Sequence, residues 1–180
     1  MPTHMNLFYA EMAAAMAGVQ KLQNLAQYHG ITDIFSDNGG KVVQVAVAVG
    51  LDIVPGRMGA DARDRLGNEY EMKTLDLAKK TRGFSTNHHL NLGTIAKFRS
   101  RRFVFATYDG IVLQEAFMVL PEDMEPLYEK WTRMLKSQDH INNPKIPLDY
   151  VRDVGTVMYL KDVAPAWMEG KTPIADLVDA

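Results

Sequence analysis

The sequence predicts a mixed α/β domain in three layers, a mixed central β-sheet flanked by α-helices. Three observations lead there. A long helical period opens the chain and another follows residue 120, short β-branched or alternating stretches lie between them, and Asn-Gly, Pro-Gly and Asp-Gly pairs punctuate those stretches. Helix, then strands, then helix is the order of a layered sandwich, not of a bundle or a barrel. With 180 residues, 47% apolar and 23% charged, the chain suits a single domain over residues 1–180 with one sizeable core.

From Asn6 to Tyr28 the apolar positions Met12, Met16, Val19, Leu22, Leu25 and Ala26 recur at helical spacing, and Gly30 supplies a stop. The Ala and Met content between Ala10 and Ala17 suits close approach of another helix, either from a second copy or from the chain's own core. Residues 31–40 end in the turn cluster Asp37-Asn38-Gly39-Gly40, and the β-branched run Val42 to Val49 is expected to form a buried strand. Pro55-Gly56 breaks the chain again. Glu69 to Leu75 alternates, so a strand there would set Glu69, Glu71 and Lys73 on one face and Tyr70, Met72 and Thr74 on the other. Arg102 to Tyr108 and Ile111 to Val119 predict a hairpin with Asp109-Gly110 in a type I′ turn. Pro121 to Lys136 predicts a helix whose regular start Pro126 delays by a turn. Asn142-Asn143-Pro144 signals a loop, and the segment from Pro147 to Leu160 carries no decisive period.

Composition removes several classes of function. The chain has no cysteine, so disulfides and thiolate-bound zinc are excluded and any metal would sit among oxygen or imidazole ligands, which suits hard ions such as magnesium. No apolar run approaches the roughly 20 residues that cross a bilayer, and the N-terminus has no secretory pattern, so no membrane partner and a cytoplasmic location are expected. The net charge of -2 does not advertise nucleic acid, but charge is segregated. Lys79, Lys80, Arg82, Lys97, Arg99, Arg101 and Arg102 fall in a stretch without Asp or Glu, while acids gather between Glu122 and Glu129. Such a basic face either lines phosphates or is simply solvated.

The chemistry concentrates between Asp61 and His89. Asp61 is followed by Glu71-Met72-Lys73, two carboxylates, a backbone carbonyl and a lysine. Hydrolysis of a phosphodiester needs charge stabilisation at the phosphoryl oxygens and a partly deprotonated water, and a carboxylate-held magnesium serves both needs. Asp61 and Glu71, with the Met72 carbonyl, would be its ligands, and Lys73 would orient the water and offset developing charge. The spacing alone is common in proteins of this size, and its plainer reading is an exposed strand face with one ion pair. His88 and His89 are adjacent, so they do not share one metal; in a loop both rings reach a groove, where imidazole can donate to guanine and Asn142 and Asn143 can bond adenine. His and Asn pairs are more often ordinary loop residues.

Over nearly its whole length the chain resembles the PvuII family of type II restriction endonucleases, within the restriction-endonuclease-like superfamily. The resemblance rests on HGITDIFSDNGGK from His29, PGRMGAD ending at Asp61, EYEMK ending at Lys73, GFSTNHHLN from Gly83, IAKFR from Ile95 and INNPKIP from Ile141. It implies a restriction-endonuclease-like core and a homodimer on double-stranded DNA, with Asp61, Glu71 and Lys73 catalytic and Asp61, Glu71 and Met72 holding Mg2+. By the same resemblance Ser85, Thr86, His88, His89, Asn142 and Asn143 are DNA-binding in the major groove and Asp37 in the minor groove. It also implies a dimerisation helix within 1–36, a catalytic core and recognition loop within 37–120, and a second recognition segment with a tail within 121–180. Two-fold symmetry implies a palindrome, CAGCTG, cut at its centre to blunt ends, with a companion DNA methyltransferase that forms no stable complex.

Three positions depart from the family pattern. Met58 stands where the family has a glutamate near the metal, Asn87 replaces the first of three histidines, and Phe98 replaces a tyrosine. The first favours one magnesium per protomer over two. The competing readings are a DNA-binding protein that no longer cleaves, and a structure-specific repair or junction nuclease on the same core.

Overall fold

A computed structural model describes residues 4–36, 38–54 and 59–163. The Pro55-Gly56 break, Asp37, Met58 and the tail beyond residue 163 lie outside the described residues. Six strands form the main sheet in the order β1-β2-β3-β5-β6-β8: β1 (Asp52–Ile53), β2 (Ala62–Arg63), β3 (Glu69–Asp76), β5 (Arg102–Asp109), β6 (Val112–Val119) and β8 (Thr156–Leu160). β3 and β5 run parallel and the other neighbours antiparallel, so the sheet is mixed as expected. A separate two-stranded sheet pairs β4 (Gly83–Ser85) with β7 (Lys145–Pro147).

Two apolar clusters, one on each face of the main sheet, make the three layers. On one face Tyr70, Met72, Val104, Ala106 and Met118 meet Val45, Ala46 and Val49 of helix α2 (Gly39–Val49). On the other, Leu75, Phe103, Phe105 and Phe117 meet Ile95 and Phe98 of α3 (Leu92–Phe98), Tyr128 and Trp131 of α4 (Glu125–Met134) and Leu148 and Val151 of α5 (Leu148–Val154). Alternation along β3 sends Tyr70 and Met72 to the first cluster and Leu75 to the second, which leaves Glu71 and Lys73 on the second face. That is the face-sharing the sequence predicts.

The expected strand over Val42 to Val49 is instead helix α2. Val45, Ala46, Ala48 and Val49 are buried while Val47 is 57% exposed, a helical and not a two-residue period. A short apolar run does not distinguish the two, and packing on the sheet outweighs the modest helix penalty of valine. Gly50, in the left-handed region at φ 77°, caps the helix by donating its N–H to Ala46 O, and Tyr108 OH donates to Lys41 O at 2.8 Å, tying α2 to the sheet.

The β5–β6 hairpin forms where Asp109-Gly110 predicts it, but its two loop residues are Gly110 and Ile111, since Asp109 still pairs with Val112. Gly110 has φ 60° and Ile111 does not share a positive φ, so the turn has the type II′ pattern at its first central residue and not the type I′ pattern at both. Pro126 lies in the first turn of α4, behind a 3-10 turn at Glu122–Met124, as its missing N–H requires.

Helix α1 (His4–Gln27) stands almost clear of this body. Among residues 10–27 only Ala26 is buried; Met12, Met16, Leu22 and Leu25 are exposed, so packing into the chain's own core does not account for its apolar side. It is fastened at its end by Gln23, whose Nε2 donates to Ile31 O at 3.1 Å and whose Oε1 accepts from Ile34 N at 2.8 Å.

Candidate active site

The site is built where β2 stops short. β2 pairs with β3 only at Glu69 and Tyr70, so β3 presents an open edge from Met72 onward. Asp61, directly before β2, keeps the ladder going: its N–H donates to Tyr70 O at 2.9 Å and its Oδ2 accepts from Met72 N at 2.7 Å. In an extended strand a residue's N–H and C=O point to the same side, so the Met72 carbonyl faces the same edge as the Asp61 carboxylate. Glu71 and Lys73 extend from the neighbouring positions of β3, with Lys73 Nζ 2.7 Å from Glu71 Oε1 and their side chains only 16% and 13% exposed. Asp61 thus meets the Met72 backbone, Glu71 pairs with Lys73, and the charges of both act on the Asp61 carboxyl.

Its electrostatics are those of a cation site. Burial pushes the Asp61 carboxyl above the usual carboxylate range, and the Glu71 charge pushes it further; the Met72 N–H, Lys73 and Arg101 act against the rise without cancelling it. Two partly buried carboxylates and a backbone carbonyl are hard oxygen ligands of the kind divalent magnesium takes. Among the described residues no group of three or more His, Asp or Glu gathers to hold a metal. Beside Asp61 opens a cavity of about 380 Å³, lined also by His29, Asp33, Ser36 and Val54.

The residues expected to contact DNA in the major groove lie on and beside the small sheet. β4 and β7 pair Ser85 with Lys145 and Phe84 with Ile146, and beyond them Leu90 bridges Ile141. Asn143 N donates to Asn87 O at 3.1 Å and Thr86 Oγ1 to Pro144 O at 2.8 Å, so the two motifs GFSTNHHLN and INNPKIP become one hairpin-like unit although about 60 residues separate them. His88, His89 and Asn142 are exposed on it; the His89 ring makes an edge contact with His140 at 4.7 Å. Asn143, at φ 47°, has a buried Oδ1 with no hydrogen-bond partner among the described residues. Phe84 and Ile146 root the unit in the same core cluster as Leu75, which sets it on the Glu71 and Lys73 face of the main sheet.

Some sequence expectations shift. The basic stretch is not one free face: Arg99 pairs doubly with Glu125, Arg101 with Glu69 and Glu71, and Arg102 lies 3.7 Å from Asp64, leaving Lys79, Lys80, Arg82 and Lys97 exposed. Phe98 is buried against Phe103, ring centroids 5.1 Å apart, and brings no polar atom to the centre. Three residues escape sequence reasoning. Lys145 donates from Nζ to Ser85 Oγ at 2.6 Å, a contact that only the strand register reveals. Asp64, its side chain wholly buried, accepts from Leu66 N, Asn68 N, Asn68 Nδ2 and Tyr70 OH and fixes the β2–β3 turn that delivers Asp61. Arg101 reaches Glu71 on the neighbouring strand.

A mixed sheet whose open central edge gathers an aspartate and a Glu-x-Lys strand, with a donor-rich hairpin on the same face, defines a restriction-endonuclease-like nuclease. The family model for the restriction endonuclease PvuII matches residues 8–159, and the chain belongs to that family. It is thus a type II site-specific deoxyribonuclease acting on DNA, of a class that works with divalent metal ions. Among the described residues no helix is long and apolar enough to cross a membrane.

Proposed function

We propose that the chain is a magnesium-dependent, homodimeric, cytoplasmic enzyme that hydrolyses both strands at CAGCTG to give blunt ends, alongside a separate DNA methyltransferase. The observation that carries the chemistry is the grouping of Asp61 and Glu71 beside Lys73, with the Asp61 carboxyl raised by burial and by the Glu71 charge. Asp61, Glu71 and the Met72 carbonyl would hold the ion, which when bound polarises the phosphoryl oxygen and acidifies water. Lys73 orients the attacking water and neutralises charge gathering on the phosphate. The water oxygen bonds to phosphorus as the bond to the 3′ oxygen breaks, the water's proton passes to solvent and the 3′ oxygen takes one up, leaving a 5′-phosphate and a 3′-hydroxyl. Mapping of fragments from DNA of known sequence, with and without magnesium, tests site, ends and metal together; cuts at another sequence, or staggered ends, would replace these details.

Exposed His88, His89 and Asn142, with Asn143 and with Ser85 held by Lys145, support base readout from this hairpin. Thr86 supports it by bracing the hairpin through Pro144. Asp37 is assigned to the minor groove on the family resemblance alone. His88→Ala should weaken binding to the specific duplex by roughly tenfold to a hundredfold, the range for one lost base contact, and change affinity for random duplex far less. An equal loss on both duplexes in a titration would remove His88 from readout.

The exposed apolar residues Met12, Met16, Leu22 and Leu25 of α1 support a self-complementary interface. Sedimentation should give twice the 20.2 kDa chain mass. A monomer that still cuts both strands at one site would contradict the symmetric arrangement.

A further inference from the structure

Arg101 lies within the carboxylate cluster. Its guanidinium, on a side chain 16% exposed, reaches Glu71 Oε2 at 3.4 Å and Glu69 Oε2 at 3.3 Å and donates to Gly59 O at 2.9 Å. Glu71 meanwhile accepts Lys73 on Oε1 at 2.7 Å, so each of its oxygens already faces a cation. Asp61 and Glu71 are balanced in charge by Lys73 and Arg101 before any ion arrives, and a divalent ion on Glu71 must displace one of them. The lysine contact is the shorter. Arg101 has Glu69 and the Gly59 carbonyl to fall back on, and Glu69 is itself bound to Arg63 at 2.8 Å, so its shift away from Glu71 leaves no carboxylate or guanidinium bare.

We infer that Arg101 is a resident competitor for the divalent ion at Glu71: it keeps the metal-free centre neutral, yields Glu71 Oε2 when the ion binds, and so holds metal affinity down until DNA adds a negative phosphate. The inference rests on Asp61 and Glu71 being the metal ligands. It opposes a purely architectural role in which Arg101 pins the Gly59 backbone ahead of Asp61. The two roles differ in sign: losing a clamp loosens Asp61 and weakens metal binding, whereas losing a competitor strengthens it.

Calorimetric titration of the full chain with calcium chloride alone, without DNA, separates them. R101Q should bind calcium roughly tenfold more tightly than the unaltered protein, the scale of removing one close like charge from a partly buried site. R101K, which keeps the charge, should stay near the unaltered affinity. Melting curves establish that each variant folds, and R101M carries the same expectation as R101Q should the latter unfold. Equal or weaker calcium binding by the charge-free variants overturns the inference while leaving the metal site standing. Calcium binding that D61A does not abolish overturns the metal site itself, and the inference with it.

Discussion

Lys73→Ala should lower cleavage by about a thousandfold or more while specific duplex binding, measured in calcium, changes by no more than about tenfold. The asymmetry follows from where the ammonium acts. Lys73 Nζ rests on Glu71 Oε1 at 2.7 Å, with its side chain largely enclosed, so it contributes little to the surface that meets undistorted DNA. Its charge matters most when negative charge accumulates on the phosphate, and a contact strengthened only then appears in the rate and not in ground-state affinity. The substitution also frees one oxygen of Glu71, so metal binding should be kept or tightened, which separates loss of the lysine from loss of the ion. Parallel losses of binding and cleavage, or cleavage within about tenfold of the unaltered enzyme, would remove Lys73 from that role.

Asp61→Asn should abolish metal-dependent cleavage and at the same time stabilise the metal-free protein. Burial and the nearby Glu71 charge raise the Asp61 carboxyl, so between the ordinary carboxylate value and its raised folded value the native state holds a proton that the unfolded chain has released. Stability contributed by that proton is present at low pH and fades as pH rises through the folded value. Asparagine carries no charge at any pH, and its Oδ1 can still accept the Met72 N–H that Oδ2 accepts at 2.7 Å. Thermal melts without metal should therefore show D61N more stable near neutrality by roughly 1 kcal/mol, about 3 °C for a chain of this size, with less decline as pH rises. A D61N protein less stable than its parent at neutral pH would mean that Met72, Lys73 and Arg101 outweigh the cost of burying the carboxylate.

These two residues were legible in the sequence because their placement is local. Alternation alone puts Glu71 and Lys73 on one face of a strand, and Asp61 needs only one tight turn, fixed by Asp64, to return beside Met72. The hairpin at Gly110 and the delayed start of α4 were legible for the same reason, since glycine and proline restrict the backbone at their own positions. Helix α2 was not, because a run of valine and alanine fits either period and only the sheet beneath it decides. The partnership of Ser85 with Lys145 and of Asn87 with Asn143 joins segments whose register no local pattern carries; family resemblance marked most of these residues, but not that they form one sheet. Arg101 was hidden differently. In the sequence it is one of a row of basic residues, and the parallel register that sets β5 beside β3 is what brings it to Glu69 and Glu71.

The same register explains how one face serves two tasks. Leu75 continues the strand that carries Glu71 and Lys73 into the cluster holding Phe84 and Ile146, and Phe84 packs on Phe105 with ring centroids 4.8 Å apart. The β4–β7 unit and the β3 edge are thus rooted in one packed layer.

The most direct test of the metal-centred account is an anomalous-difference map from crystals of the protein soaked in manganese. The account predicts one peak per protomer, coordinated by Asp61, Glu71 and the Met72 carbonyl oxygen, with Lys73 beside it. A peak held by other residues, or none at saturating manganese, would contradict it.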